Sequence, residues 1–342
     1  MSLKNLNVKI KIPKLLKDKL NDKKIYQIYK KFEKSLNINE NFAVAVSGGA
    51  DSLALAFLAK IYSLKKKLNS RFFIIDHKLR PESTKEAKLV KNVLKNFLID
   101  LEILTWKGKK PKKNIQSIAR NKRYQLLFTQ CNKLRINNIL LGHHRGDLFE
   151  NFFIRMLRGS GLKGLVSFDR ISKTNNKNLL RPLIDHEKED LIFLSKKVFK
   201  FYVKDPTNED QKYQRIKIRK LIEELQENGL DEKKFLKTIQ NLKYSNNVVD
   251  FYVNQNLLNN TFFFTKNKKL LLKENFFKQP FEVIFRTFSE SIKLIGKRYY
   301  AVRGKKLERI IKNIQKDKYF KVTLGGCIIK KVNKTVIILK EQ

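Results

Sequence analysis

Residues 42–60 read FAVAVSGGADSLALAFLAK, and this stretch decides the fold. The five small or β-prone apolar residues 42–46 predict a strand buried on both faces, and the alanine- and leucine-rich run from Leu53 predicts a helix. Residues 47–52 therefore form a strand-to-helix loop. Its two glycines allow backbone N–H groups to turn around an anion at the positive end of the helix. The loop suits a phosphate.

This loop differs from a Walker A loop, because no Gly-Lys-Ser/Thr follows at the required spacing. A plain βα turn, in which Asp51 or Ser52 only caps the helix, is the alternative. Both glycines, both serines and the acid stand together between a strand and a helix. This grouping favours the phosphate hypothesis.

Composition points to a polyanionic partner. The 342 residues include 75 basic and 32 acidic ones, which gives a formal charge of +43. Nucleic acid is the expected partner. The chain is also rich in Lys, Asn, Ile and Phe, as AT-rich coding produces, so that solvated surface lysines are the alternative. The length favours two domains.

The two cysteines, Cys131 and Cys327, lie far apart and belong to no Cys-x-x-Cys pair. This excludes a cysteine-clamped zinc site within the chain and suits a reducing compartment. No apolar run approaches the roughly 18 residues of a membrane span. The basic segment 1–19 lacks the apolar core of a signal peptide. We expect a cytoplasmic protein with no membrane association.

Strands and helices alternate through the first two thirds of the chain. After a helical lead-in at 14–36 and the loop with its helix come a strand at 71–77, a helix at 82–97, a strand at 100–106, a helix at 114–132 and a strand at 138–142. This order predicts an α/β fold with a doubly wound parallel sheet and a ligand at the carboxyl ends of its strands. Asp76-His77 and His143-His144 follow two of these strands, so we expect both pairs to converge on the loop.

The later part of the chain predicts a smaller α+β domain. Its Phe- and Lys-rich sequence reads as helices at 233–258, 281–294 and 305–315, and as strands at 262–264, 269–272, 320–324, 327–331 and 336–339. The helix that ends at Asn228-Gly229 marks the boundary. We therefore place one domain at 1–228 and the second at 229–342.

The Ser-Gly-Gly-x-Asp-Ser loop resembles the pyrophosphate loop (PP-loop) of enzymes that cleave ATP between its α- and β-phosphates. Further motifs, over residues 41 to about 219, resemble the tRNA(Ile)-lysidine synthetase family in order and spacing. They are Asp76-His77-Lys78-Leu79-Arg80-Pro81-Glu82-Ser83, Asn114-Ile115-Gln116, Ala119-Arg120, Arg123-Tyr124, Gly142-His143-His144, Arg155, Arg158-Gly159-Ser160-Gly161, Gly164-Leu165, Arg181-Pro182-Leu183 and Asp205-Pro206-Thr207-Asn208. Lys306-Leu307-Glu308 and Leu324-Gly325-Gly326 are similar to that family's substrate-binding domain.

The resemblance implies an adenine nucleotide α-hydrolase-like fold in the first domain and tRNA binding by the second. The implied reaction joins L-lysine to carbon 2 of the wobble cytidine of tRNA(Ile) with a CAU anticodon. It passes through an adenylated tRNA, uses ATP and Mg²⁺, and releases AMP and pyrophosphate. Lysidine pairs with A rather than G, which changes the codon read from AUG to AUA.

The resemblance also implies roles for individual residues. The ATP-binding set is Ser47, Gly48, Gly49, Ala50, Asp51, Ser52, Asp76, His77, Arg120, Arg123, Gly142 and His143. The catalytic set is Asp51, Arg123 and Asp147, with Asp51 also holding Mg²⁺. Asp147 and Glu150 are expected to bind lysine. The tRNA-binding set is Arg155, Arg158, Lys163, Arg181, Arg215 and Arg219.

Several alternatives stay open. Asp76-His77 could be a plain strand-end turn, and Arg120 with Arg123 a solvated helix face. Gly146 stands where many members of the family have an acid, and no role is assigned to it. Other functions are a tRNA thiolase, which would use a cysteine pair, an NAD or GMP synthetase, and a noncatalytic RNA-binding protein. A homodimer and a monomer are both open.

Overall fold

A computed structural model describes residues 12–108, 111, 114–203, 214–264, 269–296, 302, 304–317 and 319–341. The chain divides into two compact units, with the division after Leu230. This lies two residues beyond the boundary expected from the sequence.

The first unit contains a six-stranded sheet in the order β3-β2-β1-β4-β6-β5. Its strands are β1 (Phe42–Val46), β2 (Ser70–Asp76), β3 (Leu101–Thr105), β4 (Asn138–Leu140), β5 (Ile171–Thr174) and β6 (Lys177–Leu180). The first four strands are parallel, as predicted. Two further strands were not predicted: β6, which is parallel to β4, and the antiparallel edge strand β5. A two-residue turn joins it to β6, with Asn175 and Asn176 at φ of 49° and 59°, the left-handed region that such hairpins require.

Helices lie between these strands and at both ends of the unit. They are α1 (Lys14–Leu20), α2 (Lys23–Ser35), α3 (Ala50–Lys66), α4 (Ser83–Lys95), α5 (Ile115–Lys133), α6 (Arg145–Leu157), α7 (Leu162–Leu165), α8 (Lys188–Phe199) and α9 (Gln214–Glu227). The predicted lead-in helix is two helices, because the Asp22 side chain accepts hydrogen bonds from the N–H groups of Lys24 and Ile25 and starts α2.

Helix α3 lies in the core of the first unit. Every side chain from Leu53 to Ala59 is buried, against both the sheet and its neighbouring helices. The Ser195 hydroxyl of α8 donates to the Ala50 carbonyl at 2.6 Å and anchors the start of α3. Because α3 has no solvated face along this stretch, the loop that precedes it is held on a rigid element.

The second unit is the predicted smaller α+β fold. It comprises α10 (Glu232–Asn260), β7 (Thr261–Phe264), β8 (Lys269–Leu272), a 3-10 helix (Glu274–Lys278), α11 (Phe281–Gly296), α12 (Gly304–Lys316), β9 (Tyr319–Leu324), β10 (Cys327–Val332) and β11 (Thr335–Lys340). The antiparallel strands follow the order β7-β8-β11-β10-β9. Apolar residues of α11 and α12 pack on one face of this sheet.

The predicted turn Asp205-Pro206-Thr207-Asn208 lies outside the described residues. Within the described part of the chain, no helix is long and apolar enough to span a membrane.

Candidate active site

Gly48 gives the loop its shape. Its φ of +91° is a conformation that side chains rarely adopt. A Cβ there would also lie 2.9 Å from Val90 Cγ2 and 3.1 Å from Val203 Cγ2. The Val203 N–H donates to the Gly48 carbonyl at 2.9 Å. The loop is therefore fixed by close contacts that only glycine permits.

Ser52 holds the loop together from inside. Its buried hydroxyl accepts hydrogen bonds from the N–H groups of Ser47 and Gly48, both at 3.1 Å, and donates to the Gly49 carbonyl at 3.0 Å. A direct bond from Ser52 to a phosphate was expected, yet this hydroxyl is already used within the loop. Helix α3 starts after Gly49 with no side-chain cap. Its first N–H groups remain suited to an anion.

Gly142 brings the end of β4 against the loop. A Cβ on Gly142 would lie 3.2 Å from the Ser52 Cα atom and 3.3 Å from the Asp51 carbonyl carbon. The predicted convergence of the β4 end with the loop is therefore present in the structure.

Three side chains meet just beyond this contact. His144 Nε2 lies 3.8 Å from Asp51 Oδ2 and 3.8 Å from Asp147 Oδ2. His144 caps α6, since its Nδ1 accepts from the Gly146 N–H and its own N–H donates to Asp147, both at 3.0 Å. An accepting Nδ1 leaves the proton of a neutral ring on Nε2. That proton faces both carboxylates.

The two carboxylates differ in their environment. Burial raises the pKa of Asp51, with the neighbouring Asp147 charge acting in the same direction. Burial also pushes the pKa of Asp147 upward, but His144 and His143 outweigh it, so the pKa of Asp147 is lowered. Asp51 Oδ1 is buried and has no hydrogen-bond partner among the described residues. Of the two carboxylates, Asp51 therefore has an oxygen, Oδ1, that can still bind a metal ion or a hydrogen-bond donor.

This arrangement fits Mg²⁺. The ion is typically held by one or two carboxylates together with substrate phosphates and water. Asp51, with its unpartnered buried oxygen, and Asp147 could supply those carboxylates. No group of three or more His, Cys, Asp or Glu side chains suited to a metal occurs in the described residues. The fit therefore depends on the phosphates of a bound nucleotide.

Glu150 is buried, 3% exposed, and lies on α6. Its Oε1 accepts from Arg219 Nε at 2.9 Å and from Arg219 Nη2 at 2.6 Å. Its Oε2 is buried with no hydrogen-bond partner in the described chain. The Arg219 guanidinium therefore pairs with this carboxylate while its side chain is still 35% exposed, and its predicted tRNA contact stays a prediction.

Both carboxylate oxygens of Asp76 accept hydrogen bonds within the protein. It is 2% exposed and accepts from the Lys78 N–H at 2.9 Å, the Ser83 hydroxyl at 2.8 Å and the Thr84 hydroxyl at 2.6 Å. Burial alone would raise the pKa of Asp76, but these bonds lower it. The placement fits the alternative of a strand-end turn, because the carboxylate holds the start of α4 to the end of β2.

His77 pairs with an arginine of α5. Arg123 Nε donates to His77 Nε2 at 3.4 Å, and the imidazole meets the Trp106 ring edge-on. Burial and the Arg123 charge lower the pKa of His77 to about 4, so the ring is neutral and can accept this bond at pH 7. Arg120 lies over the Tyr124 ring, 5.2 Å from its centroid.

His143 faces a different aromatic residue. Its ring lies 5.2 Å from that of Phe168, and burial with the nearby arginine charges lowers its pKa to about 4. Its Nδ1 is buried without a hydrogen-bond partner in the described residues. His143 is therefore a neutral side chain with one polar atom available.

The predicted tRNA-binding residues divide into two groups. Arg181 is 6% exposed, donates to the Asp169 carbonyl at 2.6 Å and lies over the Phe168 ring. Its guanidinium is thus bonded within the protein, and the predicted phosphate contact stays a prediction. The others reach the surface: Arg155, which bonds Asn151, Arg158, which bonds Gln214, and the exposed Lys163 and Arg215.

His144 was not among the predicted site residues. Asp147 lies three residues after His144, as a helix cap requires, but Asp51 is 93 positions away in the sequence. Gly146 now has a structural reason: a Cβ there would lie 2.8 Å from His144 Cε1. The residue that replaces the family's acid makes room for the capping imidazole.

The fold and the loop place this chain in a known class of enzymes. The sequence pattern of the PP-loop domain matches residues 18–225, more than half of the chain. The fold is similar to that of the U34-tRNA thiolase NcsA from Methanococcus maripaludis, with a TM-score of 0.54 and 18% identity over 65% of this chain and 78% of that one. The class is that of the PP-loop enzymes, which use ATP.

Two relatives narrow the class. The tRNA(Ile)-lysidine synthase of Orientia tsutsugamushi (strain Boryong) is 34% identical over 317 residues, which cover 89% of this chain and 70% of that protein. That of Wolbachia sp. subsp. Brugia malayi (strain TRS) is 31% identical over 311 residues, which cover 89% and 71%. The chain belongs to the tRNA(Ile)-lysidine synthase family.

Proposed function

We propose that this protein is a ligase that uses ATP to join L-lysine to carbon 2 of the wobble cytidine of tRNA(Ile) with a CAU anticodon. ATP adenylates the cytidine O2 and loses pyrophosphate, and the lysine ε-amine then displaces AMP. The observation that carries the proposal is the pair of unpartnered buried oxygens, on Asp51 and Glu150, beside a phosphate-shaped loop. Buried polar atoms in folded proteins are nearly always hydrogen-bonded, so these two oxygens are suited to bind a ligand.

The loop end of the site would hold the pyrophosphate. The N–H groups at the start of α3 have no side-chain cap and would donate to its oxygens, and Gly49 has no side chain to obstruct them. Asp51 would hold Mg²⁺, which supplies positive charge against the phosphates. Arg120 and Arg123 lie on the exposed side of α5 and would add further positive charge as the phosphoryl group transfers.

Glu150 and Asp147 would receive the lysine. The free Oε2 of Glu150 is an acceptor for the ε-ammonium group, while Arg219 fixes the other oxygen of the same carboxylate. The ammonium group must lose a proton before it can attack, since a free lysine has a pKa of about 10.4. Two neighbouring carboxylates would attract the ammonium group, and one of them would accept its proton.

Binding of the tRNA would use the positive charge of the surface. Arg158, Lys163 and Arg215 are exposed in the first unit. Contacts of this kind position RNA on the protein without choosing the base. The second unit would extend the same interaction, as the family resemblance of its sequence implies.

The cysteines favour this reaction over tRNA thiolation. Cys131 is buried, and burial raises the pKa of its thiol to about 11, which keeps it protonated at neutral pH. Cys327 is buried in the core of the second unit.

The test is pyrophosphate release from ATP by the full chain, with and without a tRNA(Ile) transcript bearing CAU and with and without lysine. Nucleoside analysis of the recovered tRNA follows. We expect release that depends on tRNA, and lysidine only when lysine is present. Thiolated nucleoside, or pyrophosphate release with no modified nucleoside under any condition, would reject the proposal.

A further inference from the structure

The sheet of the second unit has one covered face. Residues opposite one another in its ladder, among them Leu270, Ile338 and Ile329, share a face and are buried. They pack against Ile284 and Phe288 of α11 in a single apolar cluster. This face is the core of the unit.

The opposite face, here called the outer face, is open to solvent. Because directly paired residues point the same way, it carries two rows: Phe262, Leu271, Ile337, Lys330 and Lys321, then Phe264, Lys269, Leu339, Ile328 and Thr323. None of the residues in these rows is buried. The outer face thus carries the exposed rings of Phe262 and Phe264 and partly exposed aliphatic side chains.

Aromatic rings and lysines are interleaved on this face. Phe262 and Phe264, on the edge strand β7, are 51% and 44% exposed. Lys273 Nζ lies 4.5 Å from the centroid of the Phe262 ring, and Lys269 Nζ lies 4.9 Å from that of Phe264. Lys330 and Lys321 are paired at the other end of the first row. The two rows contain no acidic residue.

We infer that the outer face is a stacking surface for unpaired nucleotides of RNA, with Phe262 and Phe264 stacking on bases and the lysines contacting phosphates. Open antiparallel sheets with exposed aromatic residues bind single-stranded RNA in this way, because each base has a face to stack and a phosphate beside it. The inference rests on the proposed function, in which the substrate is a tRNA.

The charge of the outer face favours RNA, and not a second copy of the chain, as its partner. Two outer faces placed together would bring lysine rows against each other with no acidic residue in either row to pair with them. The chain as a whole carries a formal charge of +43. A polyanion matches the lysines, and its bases match the apolar remainder.

The experiment measures binding of the full chain to a labelled tRNA(Ile) transcript with a CAU anticodon across a salt series. Phe262→Ala with Phe264→Ala should weaken binding about tenfold or more, since each stacked base contributes substantially, and should leave the salt dependence unchanged. Lys321→Ala with Lys330→Ala should make the negative slope of log affinity against log salt less steep by about 1.4, or about 0.7 for each lost phosphate contact. Phe262→Trp with Phe264→Trp should retain wild-type affinity.

A matched control uses Tyr244→Ala with Phe251→Ala, which removes two aromatic side chains of α10 that are 60% and 58% exposed. These should leave affinity unchanged. Phe262→Leu with Phe264→Leu keeps apolar area but loses the ring faces, and should bind as weakly as the alanine variant.

Wild-type affinity in the alanine variant overturns the inference while the proposed function stands, provided that wild type still forms lysidine. Loss of a dimer in the alanine variant, seen by sedimentation without a loss of RNA affinity, also overturns it. Failure of wild type to bind tRNA overturns both.

Discussion

Asp51 and Asp76 belong to neighbouring βα connections of one sheet, and they are opposite cases. Asp76, at the end of β2, accepts three hydrogen bonds, and its pKa is lowered. Asp51, after β1, has a buried oxygen with no hydrogen-bond partner in the described chain, and its pKa is raised. Both were expected from the sequence to bind ATP.

Asp76 is a carboxylate whose hydrogen bonds hold the fold together, whereas Asp51 is a carboxylate that remains available to a ligand. A buried charge costs free energy unless it is paired or hydrogen-bonded. Asp76 meets that requirement inside the protein, so its removal should affect folding. Asp51 does not, so its removal should affect ligand chemistry. Glu150 is an intermediate case, because one of its oxygens accepts hydrogen bonds from Arg219 and the other has no hydrogen-bond partner among the described residues.

The largest effect is expected for Asp51→Asn. Loss of a carboxylate that acts on the reacting phosphates should lower the rate of pyrophosphate release about 10²- to 10³-fold. The melting temperature should stay the same or rise, because the charge removed is desolvated. Rates come from the tRNA-dependent assay and stability from thermal unfolding.

Asp190→Asn is the control for this variant, since Asp190 is also an acid in the first turn of a helix, where it pairs with Lys24. It should retain wild-type rates. If Asp51→Asn also retained them, Asp51 would be only a helix-terminus charge and the comparison with Asp76 would fail.

Glu150→Gln should act on lysine. A hydrogen bond to a charged group contributes about 1.5–3 kcal/mol, so the lysine KM should rise about 10- to 100-fold. Adenylation of tRNA in a single turnover without lysine should be largely retained. Both are measured with the same tRNA transcript.

Glu282→Gln is the matched control, because Glu282 accepts from Arg286 at 2.7 Å in the second unit, as Glu150 does from Arg219. It should leave the lysine KM unchanged. Loss of adenylation in Glu150→Gln with an unaltered lysine KM would assign this acid to the nucleotide instead.

The sequence could predict the loop and the alternation of strands and helices, because short-range patterns encode both: around Asp51 these are an apolar run, two glycines and a helix-forming run. It could not predict which polar side chains would be bonded to other residues within the folded protein. Arg181 and Arg219 look like surface cations in the sequence, and only the tertiary structure places them on Phe168 and Glu150. The place of His143-His144 after a strand predicted that this pair would lie near the loop, but the sequence did not show that the His144 ring would meet both Asp51 and Asp147.

Asp76→Asn should mainly destabilise the fold. An asparagine keeps one acceptor oxygen but turns an NH₂ group toward donors, so about 1–3 kcal/mol of unfolding free energy should be lost. Urea unfolding measures it. Glu86→Gln, at a partly exposed ion pair with Arg80, should change stability by less than about 1 kcal/mol. Lost activity with unchanged stability would restore Asp76 to the nucleotide site.

The smallest effect is the pH dependence contributed by His77, the neighbour of Asp76. Its pKa in the fold is about 4, below the ordinary value of 6.5. Between these values the unfolded chain binds more protons than the folded one, so stability rises with pH. The contribution of His77 is complete above pH 6.5 and is lost as pH falls toward 4.

His77→Gln isolates this contribution from those of His143 and His186, whose pKa values are also lowered. The wild type should lose more unfolding free energy than the variant between pH 6.5 and 4.5. The difference should be well below the limit of about 1.4 kcal/mol per pH unit for one titrating group, because the site is partly solvated. Asp51 acts with the opposite sign, since its raised pKa makes the fold less stable as pH rises above the ordinary value of 3.8. Equal pH slopes for wild type and His77→Gln would show that Arg123 and burial do not hold His77 neutral.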